Sequence, residues 1–381
     1  MSVTVTDERG GGARHTVEVR PLAIGPLRID PPVVLAPMAG VTTPTYRALC
    51  RSYGAALFVS EMVSARGLVD GQPETLALLD DDRGGLVEGD APRSVQLSGT
   101  DPAVVGAAVR RLVGDHGVDH VDLNTGCPTR KVTREGAGAA LPWKADRLAA
   151  VVGAAVAAAG SVPVTVKTRI GIDDAHRTHL DVGRIVAEEG AAAVALHART
   201  AATWYSGTAD WSAIAELRAA VPAHVAVLGN GDVFAAPDAV AMLAATGCDG
   251  VVIGRGCLGR PWFFRELAAA LAGRPVPAPP PWGEVAEVVT THAQGLARRH
   301  GELRAVRSIR RHLPWYLTGY PVPPEVRATL VRVESLAGLA AALGRIDPGV
   351  RPDPTEVDGP RGPVQGPQIV ALPDGWLAHR S

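Results

Sequence analysis

The residues best suited to chemistry stand in one short segment, Asn124-Thr125-Gly126-Cys127-Pro128. Cys127 lies between a glycine and a proline just past an apolar run, where neither strand nor helix readily continues. The thiol is thereby presented rather than packed. A free thiol titrates at about 8.5 and is mostly protonated at neutral pH, so it is able to act as a general acid. Cys50, Cys248 and Cys257 fall in helical or glycine-rich apolar settings that suit inert, buried thiols. There is no C-x-x-C pair and no His/Cys cluster with zinc spacing, so no metal is expected.

Other polar residues interrupt apolar runs in the same way. Lys167 and Arg169 stand in Val164-Thr165-Val166-Lys167-Thr168-Arg169, and His197 is followed by Arg199. Basic residues are otherwise almost all arginine; lysine occurs only at Lys131, Lys144 and Lys167. A cation at a strand end is suited to holding negative charge on a bound ring or phosphate. Gly229-Asn230-Gly231-Asp232 and Gly254-Arg255-Gly256 read as turns that let a phosphate approach backbone N–H groups.

These residues need a scaffold that brings distant segments to one place. Short apolar runs occur at Val33–Ala36, Ala56–Ser60, Ser94–Leu97, Val118–Leu123, Pro163–Thr168, Ala192–His197, His224–Leu228 and Gly250–Ile253. They are mostly continuous, as expected for strands buried on both faces. Between them lie helix-compatible stretches ending at glycine, such as residues 102–117. Eight strand–helix repeats predict a TIM (β/α)8 barrel, with a doubly wound sheet as the alternative. In a TIM barrel the active site lies at the C-terminal ends of the strands. Pro37-Met38-Ala39-Gly40, Gln96, Cys127, Lys167, His197 and both glycine turns all fall within or just beyond those runs.

The expected organisation is a flexible extension at 1–25, a barrel at 26–272, a proline-rich boundary at 273–284, a helical domain at 285–344 and a poorly ordered Pro/Gly-rich tail at 345–381. Net charge is −1, so bulk charge announces no nucleic-acid partner and any basic surface must be local. The N-terminus lacks the apolar core of a signal peptide, and no uninterrupted apolar run reaches membrane-spanning length. The expectation is a cytoplasmic protein with reduced thiols, no membrane association and no stable protein partner.

Taken in order, the segments Val33–Thr42, Asn124–Val132, Gly136–Gly138, Val166–Arg169, His197–Thr200, Gly229–Asp232 and Gly254–Gly256 resemble the tRNA-dihydrouridine synthase family, and more loosely its bacterial B-type branch. The similarity spans roughly residues 25–320, and its specific part is N-x-G-C-P-x-x-K-V. The resemblance implies an FMN-containing TIM barrel with a C-terminal helical domain, reducing uridine in tRNA to dihydrouridine with NADPH or NADH as electron source. It implies that Pro37, Met38 and Ala39 line the flavin ring, that Gln96 and Lys167 contact its polar edge, and that His197 faces it. Asn230, Gly231, Asp232, Gly254 and Arg255 would hold the ribityl phosphate, and Asn124 and Arg169 would contact the uracil. Hydride would pass from flavin N5 to uracil C6, with Cys127 giving a proton to C5.

An RNA partner requires a basic surface. Residues 292–313 contain Arg298, Arg299, Arg304, Arg307, Arg310 and Arg311 against one acid, Glu302. Gly301 is expected to separate two helices, and Arg304, Arg307 and Arg311 share a face of the second. Lys131 and Arg134, beside the cysteine segment, extend the track. Three other readings stay open: a flavin barrel acting on a free pyrimidine such as dihydroorotate, a non-catalytic flavin-containing RNA-binding protein, and an RNA-free phosphate-binding isomerase. Activity on free pyrimidine marks the first, loss of the cysteine would mark the second although Cys127 is present, and a colourless protein marks the third.

Overall fold

The computed structural model describes residues 2–7, 13–54, 56–79, 92–362 and 366–380. Eight parallel strands close into a barrel: β1 (Val33–Leu35), β2 (Leu57–Ser64), β3 (Ser94–Ser98), β4 (His120–Thr125), β5 (Val164–Arg169), β6 (Ala193–His197), β7 (Ala226–Asn230) and β8 (Gly250–Ile253). Each lies on or within a few residues of an apolar run. β2 runs longest because its pairing with β3 slips between Val59 and Met62, which carries Met62 and Glu61 on toward the C-terminal end.

Helices cover the outside. Pro102–Gly114 starts at Asp101, whose carboxylate accepts from the amides of Ala103 and Val104 at 2.9 and 3.2 Å. Val105, Val109 and Leu112 recur at helical spacing and are buried against the core. Each such side chain stabilises the fold by roughly 1.5–3 kcal/mol, so an acid at Leu112 would detach this helix.

The N-terminal end of the barrel is plugged. Leu22–Ile24 and Leu27–Ile29 form a hairpin whose Leu22, Ile24 and Ile29 pack with Val34, Leu57, Ala193, Ala226 and Val252 inside the barrel. The expectation of a flexible extension at 1–25 therefore gives way in its described part, where Ser2–Asp7 also pairs with Ala13–Glu18. Residues 8–12 lie outside the described residues.

After the barrel, Trp282–His300 and Glu302–Tyr316 pack as a pair, parted by Gly301 in the left-handed region (φ 77°). With Pro324–Leu330 and Leu336–Leu343 they enclose a second core of Trp282, Val289, Leu296, Ile309 and Leu313. This unit is pressed onto the barrel. A Cβ on Gly259, in the loop after β8, would lie 2.3 Å from the carbonyl carbon of Trp315. The tail expected to be poorly ordered contributes a buried Arg361, which donates to the carbonyls of Leu258 and Trp315 at 3.0 and 2.8 Å. It thereby ties the last barrel loop to the helical unit. No helix among the described residues is long and apolar enough to cross a membrane.

Candidate active site

A cavity of about 420 Å³ opens at the C-terminal ends of the strands. It is lined by all eleven residues expected at the cofactor: Pro37, Met38, Ala39, Gln96, Lys167, His197, Asn230, Gly231, Asp232, Gly254 and Arg255. Cys127, Asn124 and Arg169 line it too, whereas Lys131, Arg304, Arg307 and Arg311 are exposed outside it. Trp204 and Asp232 are the non-glycine residues with positive φ among those described, at 53° and 56°, and both line the cavity. Backbone strain thus gathers at this site.

The cysteine segment is held by side-chain amides beneath it. Asn124 Oδ1 accepts from the amides of Gly126 and Cys127 at 3.2 and 2.9 Å. Asn124 Nδ2 donates to Gln96 Oε1 and Gln96 Nε2 to Asp122 Oδ2, both at 2.8 Å. Asp122 Oδ1 accepts from Thr165 Oγ1 at 2.6 Å. An ionised carboxylate has no proton to give, so the direction along this chain is set. Thr165 in turn accepts from His120 Nε2 at 2.9 Å, and His120 Nδ1 accepts from Ser94 Oγ at 2.7 Å. Burial pulls His120 down to about 3, so it is neutral with one N–H to place. Burial pushes Asp122 up to about 6, opposed by the bonds from Thr165 and Gln96 and by the charge of Lys167. Asn124 and Gln96 therefore spend most of their hydrogen-bonding capacity on the segment itself, leaving at most one N–H each for a ligand. Cys127 remains half-buried, its Sγ 3.1 Å from Thr129 Oγ1. Cys50, Cys248 and Cys257 are buried and unpaired, as their settings suggested.

The facing wall is cationic. Arg169 is buried and donates only to the carbonyls of Gly126, Thr200 and Trp204, at 2.9–3.0 Å. Lys167 Nζ reaches Asn230 Oδ1 at 3.1 Å. Neither forms an ion pair with a carboxylate among the described residues. Burial, then the charge of Arg169, lowers Lys167 to about 8. Burial likewise lowers Arg169 to about 10. Burial and the cations Arg169, Lys167, Arg199 and Arg255 hold His197 well below its usual range, so it is a neutral imidazole.

The Asp232 side chain is engaged within the protein, while the residue lines the cavity as expected. Its carboxylate takes a bidentate pair from Arg199, both bonds 2.8 Å, a third from the Ala209 amide at 2.7 Å, and Arg255 at 3.3 Å. It orients Arg255, and an anion would meet that guanidinium and the loop backbone rather than the carboxylate. The two glycine loops press together: a Cβ on Gly256 would lie 2.2 Å from Val233 O.

Several lining residues were not anticipated. Tyr205 sits between the guanidiniums of Arg255 and Arg169, 4.5 and 5.6 Å from its ring centre, beside Trp204. A Trp-Tyr pair in the loop after β6 is conspicuous in a chain with 4% aromatics, and that signal could have found it. Trp315 reaches the cavity from the helical unit and Met62 from the slipped part of β2. Both depend on tertiary geometry. Arg311 lies against the loop after β1: a Cβ on Gly40 would be 3.2 Å from its Nη1. The Gly40 amide donates to Glu61 at 2.5 Å. Glu61 and Arg304 both act on His300. The arginine face therefore runs along Glu302–Tyr316 to the rim of the cavity. Arg310 points elsewhere, donating to the carbonyls of Val333 and Arg332.

Comparison with known proteins shows the family. The model of the dihydrouridine synthase (Dus) family matches residues 34–346. A protein of Mycobacterium tuberculosis (strain CDC 1551 / Oshkosh) named "Probable tRNA-dihydrouridine synthase" is 50% identical over 374 residues, covering 96% of this chain and 94% of that one. "tRNA-dihydrouridine synthase B" of Xanthomonas campestris pv. campestris is 40% identical over 314 residues, covering 82% and 92%. Among solved structures, histamine dehydrogenase from Rhizobium sp. 4-9 overlays 72% of this chain and half of its own with a TM-score of 0.51 at 13% identity, a likeness of fold alone. The chain belongs to the dihydrouridine synthase family.

Proposed function

We propose that this protein reduces particular uridines of tRNA to 5,6-dihydrouridine, drawing electrons from NADPH through FMN, with Cys127 as the proton donor. The observation that carries the reading is the meeting, in one cavity, of a presented thiol with Lys167 and Arg169, which have no carboxylate partner among the described residues. Family membership and the names of the relatives support it.

The donor set fits a flavin mononucleotide. Two inward cations without acidic partners among the described residues, Lys167 and Arg169, suit an electron-rich ring and a pyrimidine carbonyl. The Gly231 and Gly254 turns with Arg255 suit a phosphate. The cavity volume lies within the roughly 300–1,000 Å³ of ligand sites. Held there and reduced by NADPH, FMN would supply hydride chemistry toward uracil C6. Cys127, presented into the cavity, would give its proton at C5. The Asn124–Gln96–Asp122 chain keeps the cysteine segment in register while this happens. Neutral His197 offers a hydrogen bond without competing for the proton. Arg169 orients the uracil, and Trp204 and Tyr205 wall it from water. A uridine must leave its stack to reach this depth. The exposed face of Arg304, Arg307 and Arg311 would hold the RNA backbone, with Lys131 and Arg134 extending it.

The test is turnover of unmodified tRNA by purified, flavin-loaded protein with NADPH, with dihydrouridine measured by mass. Formation of dihydrouridine in tRNA, with no reduction of free uracil or dihydroorotate chemistry, supports the reading. Efficient reaction on a free pyrimidine without RNA would replace it.

A further inference from the structure

The family model ends at residue 346, yet the chain continues to a segment that docks beside the active site. Residues 366–380 run along the rim of the barrel mouth. At one end the Gln368 amide donates to Ala202 O at 2.8 Å. Ala202 belongs to the loop after β6 that carries Trp204 and Tyr205. At the other end Trp376 lies against the segment that follows the cysteine. Its Nε1 donates to Ala140 O at 3.0 Å. Its ring occupies the space over Gly136, where a Cβ would lie 2.4 Å from the ring. Lys144 and Arg147 stand 5.4 and 5.8 Å from that ring.

The contacts continue beyond Trp376. Lys144 Nζ donates to His379 O, and the Ala145 amide donates to Arg380 O at 3.2 Å. Arg380 pairs with Asp181, and its guanidinium stacks on Trp143 at 4.6 Å. The clamped stretch, Gly136 to Ala145, is the one that touches the cysteine directly. The Ala139 amide donates to Cys127 O at 3.0 Å, and a Cβ on Gly138 would meet that same carbonyl at 2.5 Å.

We propose that residues 366–380 form a strap that fixes the Cys127 segment from outside, with Trp376 as a positioning residue for the cysteine. Asn124 holds the segment from the barrel interior through its amides, and Ala139 holds it from the surface through its carbonyl. The barrel core supplies the first brace and the strap stiffens the second. The strap also joins the cysteine side of the mouth to the Trp204–Tyr205 side, so it sets the width between them. A local opening of the strap loosens this stretch without unfolding the barrel, because its contacts with residues 136–145 are peripheral to the main core.

The test compares wild type with Trp376→Ala, Trp376→Phe, Arg380→Ala and a chain ended after residue 365, each flavin-loaded. The structural readout is hydrogen exchange of the Ala139 and Ala145 amides, together with the rate of Cys127 alkylation by iodoacetamide. The other three cysteines are buried, so alkylation reports on Cys127. Expected are protection of Ala139 lowered about tenfold or more in Trp376→Ala, a changed alkylation rate, and partial rescue by Trp376→Phe, which keeps the ring and loses the N–H. The kinetic readout rests on the proposed function. kcat on tRNA falls on the order of tenfold, below the roughly 10²-fold that a 1 Å misplacement can cost, while KM stays within about twofold.

Unchanged Ala139 protection and unchanged kcat in the truncated chain would overturn the proposal. A rise in KM at constant kcat would also overturn it, by making the strap an RNA contact instead. If Trp376→Ala does not fold, Arg380→Ala and exchange of the Ala145 amide decide in the same way. Exchange and alkylation need no RNA, so a wild type inactive on tRNA but with a strap-dependent Ala139 would sink the functional reading and leave the strap standing.

Discussion

Asp122→Asn is expected to leave the barrel standing and disable the cysteine segment. Burial raises the Asp122 carboxyl from 3.8 to about 6. At neutral pH its charge therefore opposes folding by roughly 3 kcal/mol, at about 1.36 kcal/mol per unit. Asparagine removes that charge but replaces one acceptor with an NH2 group. Thr165 and Gln96 both donate to Asp122, so one of them loses its acceptor, a cost of about 1–3 kcal/mol. The two effects nearly cancel, and global stability changes by no more than about 2 kcal/mol. The local consequence does not cancel. If Gln96 turns to accept from the new NH2, its own NH2 faces that of Asn124. Asn124 then turns its NH2 toward the amides of Gly126 and Cys127, and both bonds are lost. The expected result is a kcat on tRNA lower by about 10–10²-fold with a modest change in KM. Denaturant unfolding gives the stability, steady-state kinetics the rate, and hydrogen exchange the protection of the two amides. A variant with wild-type kcat and equally protected Gly126 and Cys127 amides would refute the reasoning.

The pH profile follows from the same groups. Turnover declines as pH falls through about 6, where Asp122 gains a proton and loses an acceptor position, and as pH rises through about 8, where Lys167 loses its charge. Asp122→Asn removes the acid limb and keeps the alkaline one; a profile identical to wild type would count against the assignment. Stability runs the other way: the folded pKa of Asp122 is raised, so its contribution improves as pH falls from about 6 toward 3.8, visible in unfolding at several pH values. Lys167→Met should stabilise the cofactor-free protein by on the order of 1–3 kcal/mol below pH 8, since it removes a largely buried cation whose pKa is lowered, while weakening flavin binding measured by titration. Arg304, Arg307 and Arg311 changed together to Glu should weaken tRNA binding and flatten its salt dependence by about 0.7–0.9 per lost phosphate contact, leaving NADPH oxidation intact. Unchanged affinity would argue that this face is only solvated.

The barrel was legible because its strands are buried on both faces, so β1, β6 and β8 stand out as apolar runs. The site was legible because glycine, cysteine and cations break those runs at one end. The polar chain inside the barrel was not found, although its sign is present. Ser94 and Gln96, His120, Asp122 and Asn124, and Thr165 and Lys167 alternate with apolar residues on β3, β4 and β5. Register then sets Gln96 opposite Asp122 and Asp122 opposite Thr165, a fact no single strand contains. The Gly-Asn-Gly-Asp loop suits phosphate by its sequence, but only the fold brings Arg199 to the Asp232 carboxylate. The tail misled for another reason. Proline and glycine erase periodicity, and Arg361 and Trp376 anchor it one residue at a time.

The measurement closest to the central claim compares wild type with Cys127→Ala, both flavin-loaded, on unmodified tRNA with NADPH, counting dihydrouridine by mass and NADPH oxidation in parallel. Loss of a general acid costs about 10²–10⁴-fold. The account predicts dihydrouridine with wild type, a loss of that order in Cys127→Ala, and NADPH oxidation preserved in both. Full dihydrouridine formation by Cys127→Ala would contradict the cysteine's role, and its absence with wild type would contradict the function itself.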